Sequence, residues 1–590
     1  MTTTDWVVVG VLCGISLAAG LICTRWASAH GAAGYFTGNR RLPWWAIGLS
    51  NTATYQSGNG AFVMLLFVFG LAGNWLWWAS WVVWMPLVAV IWARLWRRMQ
   101  VVTTAELISL RYGGRPAAFA RKAYAFVCCF GFSVAIIGYI TGFFAKTIAP
   151  LTPLNEWQVL LIFGSTTALY TMFGGLTGVV YTDVVQFIVL MVGNTVLLLL
   201  AIPQFGGWEH ILQTVAAVRP EGLTPTPPTK AVDGLTVTVL ALQGLFFAGS
   251  PTAGEGMTAQ RFMAARSERH AVGGQLFNAF LALTLRTLPL IGLGVIAMTL
   301  FWSQDLIQKV GPTPANLTLI ADPAHAWAEL VKRCRLPLGF IGVLVAAEAA
   351  AYMSTLSSLI NWGGSFVVND LLPQAQASPR RQVWISRLTT VVLFALAAVV
   401  TVLYVNNMVS WFMFINSAMV IFLLPLAWFR FFWWRFNVWG ELAATVLGLP
   451  LSILVWFVLD FQGRPMWQGL GLLFGLSFLV LIAVTLLTPP ESPQTLRRFY
   501  ERCRPPGLWG PVRDHAEAET HGAATARLLV DGLIGVLACL ALVLATNAIF
   551  TRSWTTVLAS ATAAVGLGAW LTARILGPRA AVAEERSSPA

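Results

Sequence analysis

The chain has 590 residues, 57% of them hydrophobic and only 10% charged, with a mean hydropathy of +0.71. A soluble domain carries about a quarter charged residues, so this composition cannot build a water-facing surface and places the chain in a lipid bilayer. The net charge of +13 does not point to nucleic acid, because the basic residues fall in short stretches between apolar runs, as in cytoplasmic loops.

A spanning helix needs about 20 mostly apolar residues, and that ruler gives about fifteen spans, an all-α polytopic membrane protein. The first covers about residues 5–24. It has no basic stretch before it and no Ala-x-Ala exit, so it reads as a retained helix rather than a cleaved signal. The next ten begin near Pro43, Asn74, Ala118, Trp157, Gly178, Val232, Ala271, Leu338, Val383 and Val409. Four more begin near Val438, Gln468, Arg527 and Trp554. Two connecting loops, about 204–231 and 303–337, are long enough to hold short amphipathic pieces. Seven cysteines, most of them inside apolar runs, show neither a disulfide framework nor a metal spacing.

Alternating the spans from an outside N-terminus gathers most arginines on the inside. They include Arg40, Arg41, Arg94, Arg97, Arg98, Arg111, Arg121, Arg261, Arg266, Arg269, Arg380, Arg381, Arg430 and Arg435. Lys332, Arg333 and Arg335 are the exception. Excess Lys and Arg mark cytoplasmic loops, so the expected protein is a multi-pass inner (plasma) membrane protein with its C-terminus in the cytoplasm.

Polar residues inside the spans cluster at two places. "LSNTATYQSGNGAF" (Leu49 to Phe62) and "LQGLFFAGSPTAGEGM" (Leu242 to Met257) are both interrupted by Gly or Pro and lie five helices apart. Matching interrupted spans point to an inverted-repeat transporter with its site at mid-membrane. An odd repeat of five helices requires the second copy to be inserted upside down. The predicted division is therefore a leading helix (1–30), a first repeat (31–205) and a second, inverted repeat (206–435). Two peripheral helices (436–487), a cytoplasmic linker (488–525) and a two-helix appendix with tail (526–590) follow. The first and sixth core helices are the broken ones.

"AAYMSTLSSLINW" (Ala350 to Trp362) packs four hydroxyls into five residues. Ala351, Ser354, Thr355 and Ser358 share a helical face, and hydroxyls with backbone carbonyls suit a monovalent cation better than a divalent one. Helix packing is the plainer account of the run taken alone. Asp183, in "GGLTGVVYTDVVQF", shifts the balance, since an intramembrane carboxylate is costly and marks function by default; its plain role would be a helix cap.

Together "YFTGNRRLPWWAIGLSNTA", "GGLTGVVYTDVVQF", "AAYMSTLSS" and "QRFMAARS" (Gln260 to Ser267) resemble the sodium:solute symporter family over about residues 1–485. That resemblance implies the five-plus-five inverted-repeat fold shared with neurotransmitter:sodium symporters. It implies a sodium site made by the carbonyls of Ala53, Gln56 and Ala351 with the hydroxyls of Ser354 and Thr355. A second sodium, found in some members, would use Asp183, Ser354, Ser357 and Ser358. The partners implied are Na⁺, a small polar organic solute and the lipid bilayer, with no cofactor beyond the coupling ion.

The solute is less well marked. Pro251, Thr252 and Ala282 replace the family's sugar-binding pattern, and Tyr55 replaces the Asp of its proline carriers. Candidate solute residues are Tyr55, Ser57 and Asn59 at the first break and Trp75, Trp77 and Trp78 on the next helix. Gln243, Glu255 and Arg286 complete the set, with Arg286 expected to pair with Glu255 or Glu348. A polytopic enzyme is the weaker reading, because the six histidines show no metal spacing and no nucleophile or phosphate motif occurs. A proton-coupled carrier, using Glu255, Glu348 and Asp183, and a sensor built on the same fold remain alternatives.

Overall fold

The computed structural model describes residues 1–28, 31–54, 59–249, 253–300, 322–372, 379–404, 411, 413–415, 419–513 and 515–577. Among these the chain is helical, and the only β pairing is two isolated bridges, Leu42–Ala265 and Trp433–Leu508. Eleven helices are long and apolar enough to cross a membrane. Three shorter apolar helices, Gly60–Phe69, Gly234–Phe247 and Met419–Phe432, join them.

Two expected spans, those starting near Trp157 and Gly178, follow each other with no loop between them in the stretch Glu156–Gln204, where two helices meet at a kink. The stretch is divided at Gly175, whose φ of 53° is left-handed and whose missing Cβ would lie 2.8 Å from the Tyr35 carbonyl. The Tyr35 hydroxyl donates to the carbonyls of Thr171 (2.9 Å) and Met172 (3.2 Å) and so satisfies groups freed by the break. Three further expected spans hold the shorter apolar helices Gly60–Phe69, Gly234–Phe247 and Met419–Phe432, each close to residues outside the described set.

In chain order α1 is Thr3–Ser28, α2 Gly31–Thr37, α3 Trp44–Thr54 and α4 Asn59–Phe69. Helices α5 (Trp75–Leu87) and α6 (Ala93–Met99) join through a π-turn. After α7 (Glu106–Arg111), α8 (Gly114–Phe126) and α9 (Val134–Ile148) comes α10, the kinked stretch Glu156–Gln204. The loop helix α11 (Trp208–Val218) leads to α12 (Gly234–Phe247) and α13 (Ala253–Met263). Next are α14 (Glu268–Phe280), α15 (Thr287–Met298), α16 (Ala326–Arg333), α17 (Phe340–Phe366) and α18 (Pro379–Tyr404). The chain ends with α19 (Pro425–Phe432), α20 (Val438–Ile453), α21 (Met466–Leu487) and α22 (Pro493–Cys503). A terminal hairpin, α23 (His515–Phe550) and α24 (Trp554–Leu576), completes it. Helix α23 starts ten residues before the expected end of the linker, because the polar "HAEAETHGAATAR" is rich in the strong helix formers Ala and Glu.

These helices sort into two interleaved groups. In one, α3 packs on α14, α4 on α15, α5 on α12 and α6 on α13. In the other, α10 packs on α17 and α9 on α18, with the leading α1 laid along α10 and α17. The groups meet where α3 touches α10 and α17. At the arginine-rich end, Arg111 is not a solvated loop cation. It is fully buried, lies 5.4 Å from the Phe499 ring and 5.0 Å from Trp509, and donates to the carbonyls of Arg430 (3.1 Å) and Phe436 (3.0 Å). The segment after α21 is thereby fastened across the helix ends.

Candidate functional site

Of the two interrupted spans, the first lies on either side of residues 55–58, which are outside the described residues, and the second is broken at Ala248 and Gly249. Helix α3 ends at Thr54 and α4 begins at Asn59. Helix α12 ends at Phe247 and α13 begins at Ala253, with Gly249 at φ 76° so close to Trp92 that a Cβ would collide with its indole. Tyr55, Gln56 and Ser57, and the side chains of Asn59 and Glu255, lie outside the described residues.

The hydroxyl-rich turn of α17 meets the end of α3. The Thr54 and Ser358 hydroxyls are 3.2 Å apart, and both residues are buried. The four hydroxyls of α17 do different things. Thr355 donates to the Ala351 carbonyl at 3.1 Å, so two oxygens of the expected sodium site sit together on α17. Ser357 bonds back to the Ser354 carbonyl at 3.0 Å. Ser354 donates to Asp183 at 2.7 Å. Ser358 faces a positive charge that sequence reasoning had placed in a loop.

That charge is Arg261, on α13 and fully buried. Its Nη2 donates to Ser358 Oγ (2.6 Å), Thr54 Oγ1 (2.8 Å) and Asp183 Oδ2 (3.1 Å). Its Nε donates to Ser50 Oγ (2.6 Å) and its Nη1 to the Met257 carbonyl (3.1 Å). Ser50 in turn donates to Asp183 at 2.5 Å. The structure thus brings Asp183, Ser354 and Ser358 together as expected, but around a guanidinium. Asp183 is not a helix cap. A planar, permanently charged fork among five oxygens is a geometry arginine suits and lysine does not.

Thr54 and Thr355 also line a cavity of about 150 Å³ between the two helical groups. Its wall includes Phe62, Trp77, Ser80, Trp81, Trp84, Tyr139, Gln243 and Phe247, and every described lining side chain is uncharged. Of the expected solute residues, Trp77 and Gln243 are on the wall. Trp78 is not; it is wholly buried behind, 5.2 Å from the Trp77 ring. Trp75 turns away to give its indole N–H to the Pro225 carbonyl at 2.9 Å. Arg286 lies one layer behind the wall, its guanidinium 4.6 Å from the Phe62 ring and 5.8 Å from that of Trp81. Glu348 is fully buried one turn before Tyr352. Sequence reasoning missed Trp81 and Trp84. Their spacing from Trp77, four and seven residues, puts all three on one face of α5.

A broken helix and an oxygen-rich partner helix beside a mid-bundle cavity are features found in secondary transporters. The sodium:solute symporter family model matches residues 35–448, and the chain belongs to that family. It is a multi-pass membrane transporter by that membership, which sets the enzyme reading aside. At 26% identity over 552 residues it is similar to the sodium/mannose cotransporter SLC5A10 of Bos taurus, across 84% of this chain and 88% of that one. The sodium/pantothenate symporter of Haemophilus influenzae is 25% identical over 71% of this chain and 84% of its own length. Among solved structures, a Na⁺-coupled sialic acid symporter in an outward-open state aligns at TM-score 0.65 and 19% identity, covering 83% of this chain and 99% of that one. The two share a fold.

Proposed function

We propose that this chain is a sodium-coupled symporter that imports a small, uncharged, polar organic solute by alternating access. The observation that carries the reading is the 3.2 Å approach of Thr54 to Ser358 at the edge of the cavity. It puts the end of α3 and the hydroxyls of α17 together beside the cavity. Sodium would take the carbonyls of Ala53, Gln56 and Ala351 and the hydroxyls of Ser354 and Thr355, bridging the two helical groups. The repeats are two inverted sets of five helices within fifteen spans, with the arginine-rich end and the C-terminus in the cytoplasm and the N-terminus outside, in the plasma membrane.

The same geometry favours one sodium per cycle. A second ion among Asp183, Ser354, Ser357 and Ser358 would have to share Asp183 and Ser358 with the Arg261 guanidinium, which already bonds both. Arg261 supplies the cation there instead. One sodium at −100 mV contributes about 2.3 kcal/mol, enough for a solute gradient of about 50-fold before any sodium gradient is added. Every described side chain of the cavity wall is uncharged, which favours neutral solutes over carboxylates, with aromatic faces for an apolar side and Gln243, Ser80 and Tyr139 for hydroxyls. Uptake into proteoliposomes from a panel of neutral polyols, sugars, carboxylates and amino acids tests this. Uptake of a neutral solute that needs sodium supports it. Uptake driven by a pH gradient without sodium would favour the proton-coupled alternative.

A further inference from the structure

The terminal hairpin is fastened at both of its ends to one helical group. At one end Arg94 of α6 donates to the Ile575 carbonyl (3.0 Å) and Arg269 of α14 to that of Gly577 (3.1 Å), capping the last turn of α24. Midway, Gly532 and Gly535 let α23 lie on α5; a Cβ at either would come within 2.7 Å of Leu87 or 2.6 Å of Pro86. At the far end, three contacts run from the hairpin turn to the 204–231 loop. Asn547 donates to the Pro225 carbonyl at 2.8 Å, Phe550 lies 5.8 Å from the Trp208 ring, and Arg552 pairs with Glu209. The loop continues the chain of contact. Arg219 donates to the carbonyls of Phe67 and Val68, at 2.6 Å each, at the end of α4. Gly70 lies so near Gly222 that a Cβ there would be 2.8 Å from its Cα.

Resting on the transport reading above, we propose that the hairpin is a strut of the α3–α6 and α12–α15 group, and that it holds the 204–231 loop as a lid over the outer end of α4. Lid and gate helix then move as one unit, since the hairpin ties the loop to the same helices that carry the break. Trp75 of α5 shares the Pro225 carbonyl with Asn547, so the junction locks lid, strut and cavity helix at one atom.

The test uses the full-length protein with Ser80→Cys as a reporter on the cavity wall, labelled from outside by an impermeant maleimide in sodium or choline buffer. Releasing the lid with Arg552→Glu is expected to raise the labelling rate in choline at least about threefold, a shift of the size an exposed ion pair supports. Adding Glu209→Arg is expected to return it to the parent rate. Asn547→Ala, which leaves the ion pair intact, is expected to raise it in the same direction. The proposal is overturned if Arg552→Glu and Asn547→Ala both leave labelling unchanged, or if Glu209→Arg does not restore it. Failure of the symporter reading looks different: the parent reporter would then label equally fast in sodium and in choline.

Discussion

Asp183→Asn is the most informative single change, because it removes one charge from a pair sealed away from water. Asp183 and Arg261 are both completely buried and bonded at 3.1 Å. Breaking such a pair by deleting one partner costs about 3–5 kcal/mol, since the remaining charge is left uncompensated. Arg261 keeps four other acceptors, those of Ser50, Thr54, Ser358 and Met257, which places the cost toward the lower end, about 3 kcal/mol. For a chain of this size that is a fall of about 2 °C in the temperature of half-unfolding. Arg261→Gln alone should cost at least as much, because Asp183 then retains only two neutral donors, Ser50 and Ser354. The double variant should recover at least about 2 kcal/mol relative to the sum of the singles. Thermal unfolding of the purified protein in detergent measures this, alongside the sodium dependence of uptake. With one sodium per cycle, the Hill coefficient stays near 1 in the parent and in any active variant. Additive losses in the double variant would refute the pairing. A parent coefficient near 2 that falls to 1 in Asp183→Asn would refute the one-ion reading.

Thr355→Ala removes one of the expected sodium oxygens and should raise the sodium concentration for half-maximal uptake about 10-fold, one lost ligand of about 1.4 kcal/mol. Trp81→Ala or Gln243→Ala should raise the half-saturating solute concentration about 10-fold or more while leaving the sodium dependence unchanged; an altered sodium curve with an unchanged solute curve would count against the cavity assignment. Gly175→Ala forces a side chain into a left-handed backbone 2.8 Å from the Tyr35 carbonyl, so the purified variant should unfold at lower temperature, by about 1–3 kcal/mol of stability. Burial pushes the thiols of Cys334 and Cys503 up to about 11 and about 12 respectively. Because the thiolate is the reactive form, neither should be alkylated in the folded protein at pH 7–8. Labelling should begin only above about pH 10 or on unfolding, as mass spectrometry of the labelled peptides would show.

The second break was readable from sequence because glycine, serine and proline gather there at a matching offset from the first cluster, and Asp183 because a carboxylate does not sit in lipid without a reason. Arg261 was not. Charge counting assigns an arginine near a span to a water-facing loop, and only the starting point of α13 shows that this one faces the interior. The same ambiguity hid Arg111. The tryptophans were legible in part: of Trp75, Trp77 and Trp78 only Trp77 lines the cavity, because helical repeat along α5 decides which rings reach it and which pack behind. Arg286 was legible as an intramembrane charge, but its place behind Phe62 and Trp81 depends on how α4, α5 and α15 nest together, which no single segment encodes.

The left-handed turn at Gly175 joins two spans with no connecting loop. Asp183 sits about 12 Å farther along the same rod, so there is no slack chain between the pivot and the acid that anchors Arg261. A tilt of the first span relative to the second must be absorbed at one glycine or passed along the rod to that carboxylate. The pivot therefore works as a lever fulcrum, and its stiffness sets how far a disturbance at one membrane face is felt at the other.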